Sequence, residues 1–370
     1  MFNKIRFGVN YVPSSGWWYC WNAFDPAAVS RDLDAIAGLN ADHIRIMLIW
    51  PWFQPNPACV SAAHLDRLEQ LMELARDRGL DVSVTMLTGW LSGWSFLPAF
   101  DKPKETASGE FFTSPRMWSA VEIYFRSVAA RLNRHSNFLG FDLGNELNCC
   151  WQAPNLADGD AWMVRLLALC DELSPGLAHV NGVDHQPWLY PATFTPEALA
   201  RQPRLVAIHS WIGFTGALER GRPLDPACTQ LPMGMAALAR AYAGDAEKPV
   251  WLQEFGASSE WMKEEEIPAF LERSVESAVA GGICRLTWWA SHDISRQFEF
   301  SSLEYDLGLC SVDQQIKPAG RVFQRLARAL GGLPVSMPSA ECLPLPPASP
   351  ADADTTWAWL LNALEISPSK

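Results

Sequence analysis

The sequence predicts an α/β protein built as a single (β/α)8 TIM barrel with a short C-terminal strap. Between Arg6 and about Leu330, short apolar segments of strand length alternate with amphipathic segments of helix length. This alternation is typical of a parallel sheet with crossover helices, and eight strands close a barrel. The chain has 370 residues, which is enough for one such barrel of roughly 250 residues plus insertions.

The predicted strands are apolar runs bounded by turn residues, and helix-like segments lie between them. The strands are predicted at Phe7–Tyr11, His43–Ile49, Asp81–Leu87, Leu139–Leu143, Ala178–Val183, Leu205–His209, Val250–Glu254 and Ile283–Trp289. The helices are predicted at Asp25–Leu39, Ala62–Arg78, Arg116–Leu132, Ala161–Leu173, Thr195–Arg201 and Ile267–Ala280. Asp25 and Pro26 are typical of a cap and a first helical turn, and Gly79 is typical of a helix end.

The chain after the last predicted barrel helix has a different composition. Six prolines between Pro334 and Pro350 preclude a helix there, whereas Asp354–Leu364 can form one short element. We therefore predict a barrel over residues 1–332. Residues 333–370 are predicted as a Pro-rich extension that packs on this barrel and is not a second domain.

Charge and cysteine usage exclude several classes of partner and site. A formal net charge of -12 argues against nucleic acid and anionic membranes as partners, because both attract basic surfaces. No apolar stretch approaches the roughly 20 residues of a membrane span, and no signal-peptide core is recognisable at the N-terminus. The nine cysteines include no Cys-x-x-Cys pair, which is typical of reduced cysteines. We expect a cytoplasmic protein that binds neither a metal ion nor a cofactor.

Two glutamates at predicted strand ends carry most of the functional information. Glu146 follows the fourth apolar run and Glu254 ends the seventh. The carboxyl ends of barrel strands meet at the face where these folds place their chemistry, so the two side chains are expected to share one pocket. Paired carboxyl groups are the machinery of glycoside hydrolysis, in which one protonates the leaving oxygen and the other attacks the anomeric carbon or activates water. Burial or a negative neighbour should raise the pKa of the acid, and a fixed cation should keep the other group ionised.

An arginine and many tryptophans surround the same predicted face. Arg45 lies within the second predicted strand, and a buried arginine almost never goes unpaired, so it is expected to pair with one of the two carboxylates. Flat aromatic rings with a polar N–H suit the C–H faces of sugars. Twelve of the eighteen tryptophans lie at or just beyond predicted strand ends: Trp17, Trp18, Trp21, Trp50, Trp52, Trp90, Trp94, Trp151, Trp188, Trp211, Trp288 and Trp289.

Residues 6–330 resemble the clan A glycoside hydrolases, and within them family 5. The likeness rests on residues at five predicted strands in family order, the second, fourth, sixth, seventh and eighth: Arg45, Asn145 with Glu146, His209, Glu254 and Trp288. The resemblance implies a retaining enzyme with Glu146 as acid/base and Glu254 as nucleophile. It also implies that Asn145 binds the sugar 2-hydroxyl, that Arg45 supports the nucleophile and that Trp288 floors the reacting subsite.

A narrower resemblance is to the bacterial branch of family 5 that contains exo-acting β-mannosidases. It rests on Gly8-Val-Asn-Tyr11, Asp42-His-Ile-Arg45, Trp50-Pro-Trp-Phe-Gln-Pro55, His209-Ser-Trp211, Trp251-Leu-Gln-Glu254 and Thr287-Trp-Trp-Ala-Ser-His-Asp293. Members of that branch are associated with the Man-β-1,4-GlcNAc core of N-glycans. The resemblance therefore implies a β-linked oligosaccharide as substrate. Further candidate contacts with the sugar or the nucleophile are His209, Trp211, His292, Asp293, Trp90, Asn10 and Tyr11.

The chain departs from the family pattern at two positions. Most members have a histidine after the third strand, whereas this run reads Thr85-Met-Leu-Thr-Gly-Trp90. Many also have a tyrosine two residues after the sixth-strand histidine, and it touches the nucleophile. Here that position is Trp211, so the nucleophile is expected either to lose this hydrogen bond or to take one from elsewhere.

Two other functions stay open at this point. An endo-β-mannanase or endo-β-glucanase of the same clan would use the same carboxyl pair in an open groove. The long aromatic loops at residues 12–24, 88–113 and 290–316 favour a pocket, because they can close one side of the site. A non-catalytic carbohydrate-binding barrel would keep the aromatic residues without turnover. Surplus loop tryptophans are also candidates for a contact in a homo-oligomer.

Overall fold

The computed structural model describes residues 2–101, 110–299, 301–338, 341–346 and 352–366. Its strands are β1 Arg6–Asn10, β2 His43–Ile49, β3 Asp81–Thr88, β4 Trp90–Leu91, β5 Trp94–Ser95, β6 Phe138–Asn145, β7 Val180–Gly182, β8 Val206–His209, β9 Val250–Phe255 and β10 Arg285–Trp288. Its α-helices are α1 Pro26–Gly38, α2 Trp50–Phe53, α3 Ala62–Arg76, α4 Glu110–Thr113, α5 Pro115–Leu132, α6 Leu147–Cys150, α7 Leu156–Leu173, α8 Gln186–Leu189, α9 Pro196–Arg201, α10 Pro226–Thr229, α11 Leu231–Ala243, α12 Ile267–Ala280, α13 Pro318–Leu330 and α14 Ala353–Ala363. Short 3-10 helices lie at Trp17–Trp21, Ala217–Glu219, Glu264–Glu266 and Ser302–Glu304.

Eight strands form one parallel sheet in the order β7-β6-β3-β2-β1-β10-β9-β8. The first and last strands of this order, β7 and β8, lie against each other and bring the barrel nearly to closure. The prediction of a (β/α)8 barrel is confirmed, and each of the eight predicted strands overlaps an observed one. β4 and β5 form a separate antiparallel hairpin in the loop after β3.

The barrel strands are buried on both faces, which explains why they read as continuous apolar runs. All seven residues of β2 and all six of β9 are buried. Because both faces are covered, a charged side chain within such a strand needs a partner inside the barrel. Arg45 in β2 and Asp142 in β6 are two such residues, and both are fully buried.

The helix starts follow the local signals in the sequence. The Asp25 side chain accepts a hydrogen bond from the Ala27 backbone N–H at the start of α1, and Pro26 occupies the first turn. Gly79 lies three residues beyond the end of α3 with φ +69°, a left-handed conformation that favours glycine. These signals place each crossover helix between two barrel strands.

The end of the chain packs on the barrel through one helix. The short element expected at Asp354–Leu364 is α14, in which Trp357 is buried and its indole N–H donates to the Thr215 carbonyl at 2.7 Å. The Thr356 hydroxyl donates to the Leu189 carbonyl at 2.8 Å. Residues 339–340, 347–351 and 367–370 of the predicted extension lie outside the described residues. Within the described ranges, no helix is both long and apolar enough to cross a membrane.

Candidate active site

A cavity of about 660 Å³ opens at the carboxyl ends of the barrel strands. It is lined by Trp90, Leu91, Ser92, Gly93, Asn145, Glu146, Cys149, Asp184, His185, Gln186, Tyr190, Trp211, Gly213, Phe214, Glu254, Trp289, Ser301, Leu303, Glu304 and Leu307. The structure therefore brings both glutamates of the sequence analysis to one cavity, together with Asn145, Trp90 and Trp211. Residues 102–109 and 300, which belong to two of the loops expected to wall the site, lie outside the described residues.

Glu146 occupies the tight turn between β6 and α6. Its φ of 45° is left-handed, a conformation that is uncommon for a residue with a side chain, and its backbone N–H donates to the Gly182 carbonyl at 2.7 Å. Its carboxyl is mostly buried, with 16% of the side chain exposed. Burial raises the pKa of Glu146 to about 7; the hydrogen bond from His209 opposes this shift and the negative charge of Glu254 adds to it. A carboxyl group in this setting can hold a proton near neutral pH.

Glu254 lies in β9, one residue before its end, with only 5% of its side chain exposed. Its Oε1 pairs with Arg45 Nη1 at 2.6 Å, and its Oε2 accepts a hydrogen bond from Trp211 Nε1 at 3.2 Å. Both carboxylate oxygens are therefore held in place by hydrogen-bond donors. The sequence-based pairing of Arg45 with one carboxylate is observed, and the partner is Glu254.

The two carboxyl groups lie close together, with His209 between them. Oxygen atoms of Glu146 and Glu254 and a ring nitrogen of His209 all lie within 4.8 Å of one another. Retaining glycosidases hold their carboxyl groups about 5–5.5 Å apart, whereas inverting enzymes need about 6.5–9.5 Å to admit a water molecule. Oxygen atoms of the two groups that approach within 4.8 Å fit the retaining arrangement.

His209 is fully buried, and both of its ring nitrogens have partners. Nδ1 lies 2.9 Å from Glu146 Oε1, and Nε2 lies 2.9 Å from Gln253 Oε1. Burial lowers the pKa of His209, but the charge of Glu254 and the hydrogen bond to Glu146 outweigh burial and raise it. Both ring nitrogens are therefore engaged with oxygen atoms of neighbouring side chains. The spacing of residues in the sequence did not reveal that Glu146, His209 and Glu254 lie together. That the site binds no metal ion stays a prediction.

Arg45 is the centre of a buried hydrogen-bond network beneath Glu254. Its Nε and Nη2 donate to Asp142 Oδ2 at 3.1 and 2.7 Å, and Nη2 also donates to Asn145 Oδ1 at 2.9 Å. Its Nη1 reaches Asn10 Oδ1 at 3.0 Å in addition to Glu254. The two carboxylates raise the pKa of Arg45 in spite of burial. A guanidinium shared in this way presents a fixed positive charge to Glu254.

Similarity to solved structures identifies the family. A GH5_18 variant from Streptomyces cattleya, solved in complex with Manβ1-4GlcNAc, is 33% identical; the match covers 98% of this chain and 92% of that chain, with a TM-score of 0.87. The chain belongs to glycoside hydrolase family 5, in its GH5_18 group. A GH5_18 protein from Bifidobacterium longum subsp. infantis is 30% identical, with 90% of this chain and 81% of that chain covered and a TM-score of 0.85.

A third similar structure is an exo-β-1,4-mannosidase from Opitutaceae bacterium strain TAV5. It is 25% identical, the match covers 89% of this chain and 60% of that chain, and the TM-score is 0.75. No protein-family model and no curated protein matches the chain. The resemblance to family 5 glycoside hydrolases that the sequence suggested is thus confirmed by the solved structures.

Trp211 supplies a contact that many family 5 members take from a tyrosine. Its indole N–H donates to Glu254 Oε2 at 3.2 Å, so in this GH5_18 chain the second carboxylate oxygen keeps a donor. Gly256 makes room for this arrangement, because a Cβ there would lie 2.7 Å from the Trp211 ring and 2.6 Å from the Trp289 carbonyl oxygen. The departure from the family pattern therefore changes the donor and not the hydrogen bond.

The aromatic residue that follows the last barrel strand differs from the sequence assignment by one position. Trp289 lines the cavity, and its ring centroid lies 6.5 Å from that of Trp211. Trp288, which the resemblance placed under the reacting sugar, packs against Phe255 and donates its indole N–H to the Leu307 carbonyl at 3.2 Å. Successive side chains of an extended chain point to opposite faces. Of two adjacent tryptophans, one can therefore line the cavity while the other packs inside the barrel wall.

Four other candidates lie outside the cavity lining. Asn10 acts through Arg45, and its Nδ2 donates to the Gln253 carbonyl at 3.0 Å. Tyr11 donates to Asp32, and His292 is buried beside Ser291. Asp293 pairs with Lys317 at 2.8 Å. The structure does not bring Tyr11, His292 or Asp293 to the carboxyl pair, and their predicted contacts with sugar stay predictions.

Several residues around the site were not proposed from the sequence. Asp142 holds Arg45, Gln253 holds His209, and Glu304 and Ser92 line the cavity. A charged residue within an otherwise apolar strand was a usable signal for Asp142, because such a residue must pair with an opposite charge. Glu304 lies on an irregular loop, and no periodic pattern marks it.

Proposed function

We propose that the protein is a retaining exo-β-glycosidase, a β-mannosidase that releases terminal β-linked mannose, for example from Man-β-1,4-GlcNAc. The observation that carries this proposal is the carboxyl pair, Glu146 and Glu254, which lines one cavity with oxygen atoms within 4.8 Å of each other. Mannose as the sugar is supported by the similar GH5_18 structure bound to Manβ1-4GlcNAc and by the similar exo-β-1,4-mannosidase.

In the first step of the proposed mechanism, a Glu254 oxygen attacks the anomeric carbon of the terminal sugar. The bond between that carbon and the leaving oxygen breaks, and Glu146 transfers its proton to the leaving oxygen. The raised pKa of Glu146 supports its role as the proton donor. The hydrogen bonds from Arg45 and Trp211, which hold Glu254 in place, support its role as the nucleophile. The product is a covalent glycosyl ester of Glu254.

In the second step, water hydrolyses this ester. Glu146, now ionised, takes a proton from the water as its oxygen bonds to the anomeric carbon, and the bond to Glu254 breaks. Two displacements on the same carbon leave its configuration unchanged. Asn145, fixed by its hydrogen bonds with Arg45 and with the Trp90 carbonyl, is the proposed partner of the sugar 2-hydroxyl.

Contacts between three loops support an exo mode of action. Trp17 and Trp18, in the loop after β1, pack against Trp289 and Trp94, with ring centroids 6.4 and 6.1 Å apart. The loop after β3 contributes Trp90 through Gly93 to the cavity, and the loop after β10 contributes Ser301 through Leu307. Loops that meet in this way close one side of the cavity, which suits a chain end better than the middle of a polymer.

A panel of p-nitrophenyl β-glycosides, together with Man-β-1,4-GlcNAc and a soluble mannan, tests the proposal. We expect the β-mannoside to be hydrolysed with the highest kcat/KM. Man-β-1,4-GlcNAc should give mannose and GlcNAc in equal amounts, and mannose should be the only small early sugar released from any mannan that is attacked. Product analysis by chromatography makes this measurement directly.

Two outcomes of the same panel favour the other functions. Rapid loss of mannan viscosity before mannose appears would indicate an endo-acting enzyme. Saturable sugar binding with no turnover of any substrate between pH 4 and 8 would indicate a non-catalytic carbohydrate-binding barrel.

The raised pKa of Glu146 predicts the pH dependence of the first step. The proton donor must be protonated, so kcat/KM is expected to fall as the pH rises through about 7. A pH profile on a substrate with a poor leaving group measures this basic limb. With 2,4-dinitrophenyl β-mannoside, whose leaving group needs little protonation, the limb should flatten. A basic limb of equal steepness on both substrates would contradict Glu146 as its source.

The cysteines favour a reducing compartment. All nine are free, and Cys59, Cys149 and Cys342 are exposed. Exposed free thiols are typical of proteins that stay in a reducing environment. We therefore propose the cytoplasm as the site of action.

A further inference from the structure

A third carboxyl group, that of Glu304, lines the same cavity as Glu146 and Glu254. Glu304 ends the short 3-10 helix in the loop after β10. The mechanism proposed above gives this group no task, since the proton donor and the nucleophile are already assigned. A carboxyl group placed beside two others raises the electrostatic cost of the site, so its presence needs a physical reason.

The Glu304 carboxyl is only partly provided with partners. Among the described residues, neither its buried Oε2 nor the Ser92 hydroxyl makes a hydrogen bond of ordinary geometry. The Ser92 hydroxyl is nevertheless close enough to lower the pKa of Glu304. Ser92 lies in the turn between β4 and β5, with φ +51°, and also lines the cavity. Two buried polar groups that satisfy each other so poorly and face one cavity are typical of a site that is completed by a polar ligand.

Glu304 lies within electrostatic reach of both proposed catalytic groups. Burial raises the pKa of Glu304 to about 7; the nearby Ser92 hydroxyl opposes this shift, and the charges of Glu254 and then Glu146 add to it. Since Glu254 is proposed to attack the anomeric carbon of the terminal sugar, that sugar must occupy the cavity that Glu254 and Glu304 both line.

We propose that Glu304, assisted by Ser92, binds a hydroxyl group of the terminal sugar and is a specificity-determining residue of this enzyme. This inference rests on the proposed function. A sugar hydroxyl donates its hydrogen to Glu304 Oε2, and the Ser92 hydroxyl can pair with the same or the adjacent sugar oxygen. Sites that are built to bind a hydroxyl reject analogues that lack it, because their buried polar groups are then left unpaired.

The test combines Glu304→Ala with p-nitrophenyl β-mannosides that lack the 3-, 4- or 6-hydroxyl. In the unchanged enzyme, removal of the hydroxyl that Glu304 binds is expected to lower kcat/KM by about 10- to 100-fold. Glu304→Ala should lower kcat/KM for the parent mannoside by a similar factor and should show no further loss with that one analogue. Glu304→Gln, which keeps one acceptor, should lie between the two.

A structural role would give a different result. Because Glu304 Oε2 makes no hydrogen bond of ordinary geometry with the described residues, Glu304→Ala is expected to leave the Tm unchanged or to raise it. Glu265→Gln, at an exposed position in the 3-10 helix Glu264–Glu266, is the matched control and should leave both kcat/KM and Tm unaltered. The inference is overturned if every deoxy analogue loses activity by the same factor in Glu304→Ala as in the unchanged enzyme.

Failure of the proposed function is recognised separately. If the unchanged enzyme hydrolyses another β-glycoside in place of the mannoside, the same deoxy comparison is made with that sugar. If it hydrolyses none, the proposed function and the role of Glu304 are both overturned.

Discussion

Glu254→Gln is expected to lower kcat for p-nitrophenyl β-mannoside by on the order of 10⁴-fold or more, as loss of a covalent nucleophile typically does. The substitution keeps the shape of the side chain and one acceptor oxygen, so the hydrogen bond from either Arg45 or Trp211 is retained but not both. Kinetic measurement at saturating substrate, with Tm as a check on folding, determines the effect.

A chemical label tests the same assignment independently. A 2-deoxy-2-fluoro-β-mannosyl fluoride should form a stable ester with Glu254, since the fluorine slows hydrolysis more than it slows attack. Mass spectrometry of the peptide that contains Trp251 and Glu254 detects it, and Glu265→Gln should be labelled as the unchanged protein is. Labelling of another carboxylate, or a product of inverted configuration by NMR, would show that Glu254 is not the nucleophile.

Glu146→Ala is expected to slow substrates with poor leaving groups by about 10²–10⁴-fold, the usual contribution of general acid catalysis. Activated aryl mannosides should lose much less in the first step, because their leaving groups depart without a proton. Added azide should raise the rate of the variant by attacking the glycosyl ester, and the product should be a β-mannosyl azide. Comparison of kcat/KM for Man-β-1,4-GlcNAc and the activated aryl mannosides measures the first effect. Comparison of kcat for 2,4-dinitrophenyl β-mannoside with and without azide measures the second.

The two substitutions also separate the roles of the carboxyl groups. Azide rescue with retained configuration is specific to loss of the acid/base, because the nucleophile must still form its ester. Equal losses of Glu146→Ala on all substrates, with no response to azide, would mean that Glu146 does not protonate the leaving group. In that case another group would have to cause the fall of kcat/KM as the pH rises through about 7. Glu304, whose pKa burial also raises to about 7, would be the first residue to substitute.

The barrel and the carboxyl pair could be read from the sequence because each depends on local features. The eight apolar runs reflect strands that are buried on both faces. This pattern is recognisable even where the predicted first or last residue of a strand is misplaced. Glu146 and Glu254 stand at the ends of such runs, and parallel strands bring their carboxyl ends to one face whatever the loops do. The pairing of Arg45 with a carboxylate could also be predicted, because a buried charge needs a partner of opposite charge.

The choice between Trp288 and Trp289 could not be made in the same way. It depends on which of two adjacent side chains turns toward the cavity, and the end of β10 cannot be placed to a single residue from its composition. One residue of displacement reverses the face of a strand. For the same reason His292 and Asp293, which follow directly, were assigned to the cavity although the structure packs them against the loop and against Lys317.

Glu304 and Ser92 show the limit of sequence reading most clearly. They are 212 positions apart, on irregular loops after different strands, and loops carry no periodicity that would place a side chain. The sequence established a barrel with a paired-carboxyl site because buried strands repeat a physical pattern. Only the tertiary structure showed which residues surround that pair, such as Trp211, Asp142 and Glu304. Hydrogen bonds and charge contacts depend on atomic distances, and these distances are defined by packing.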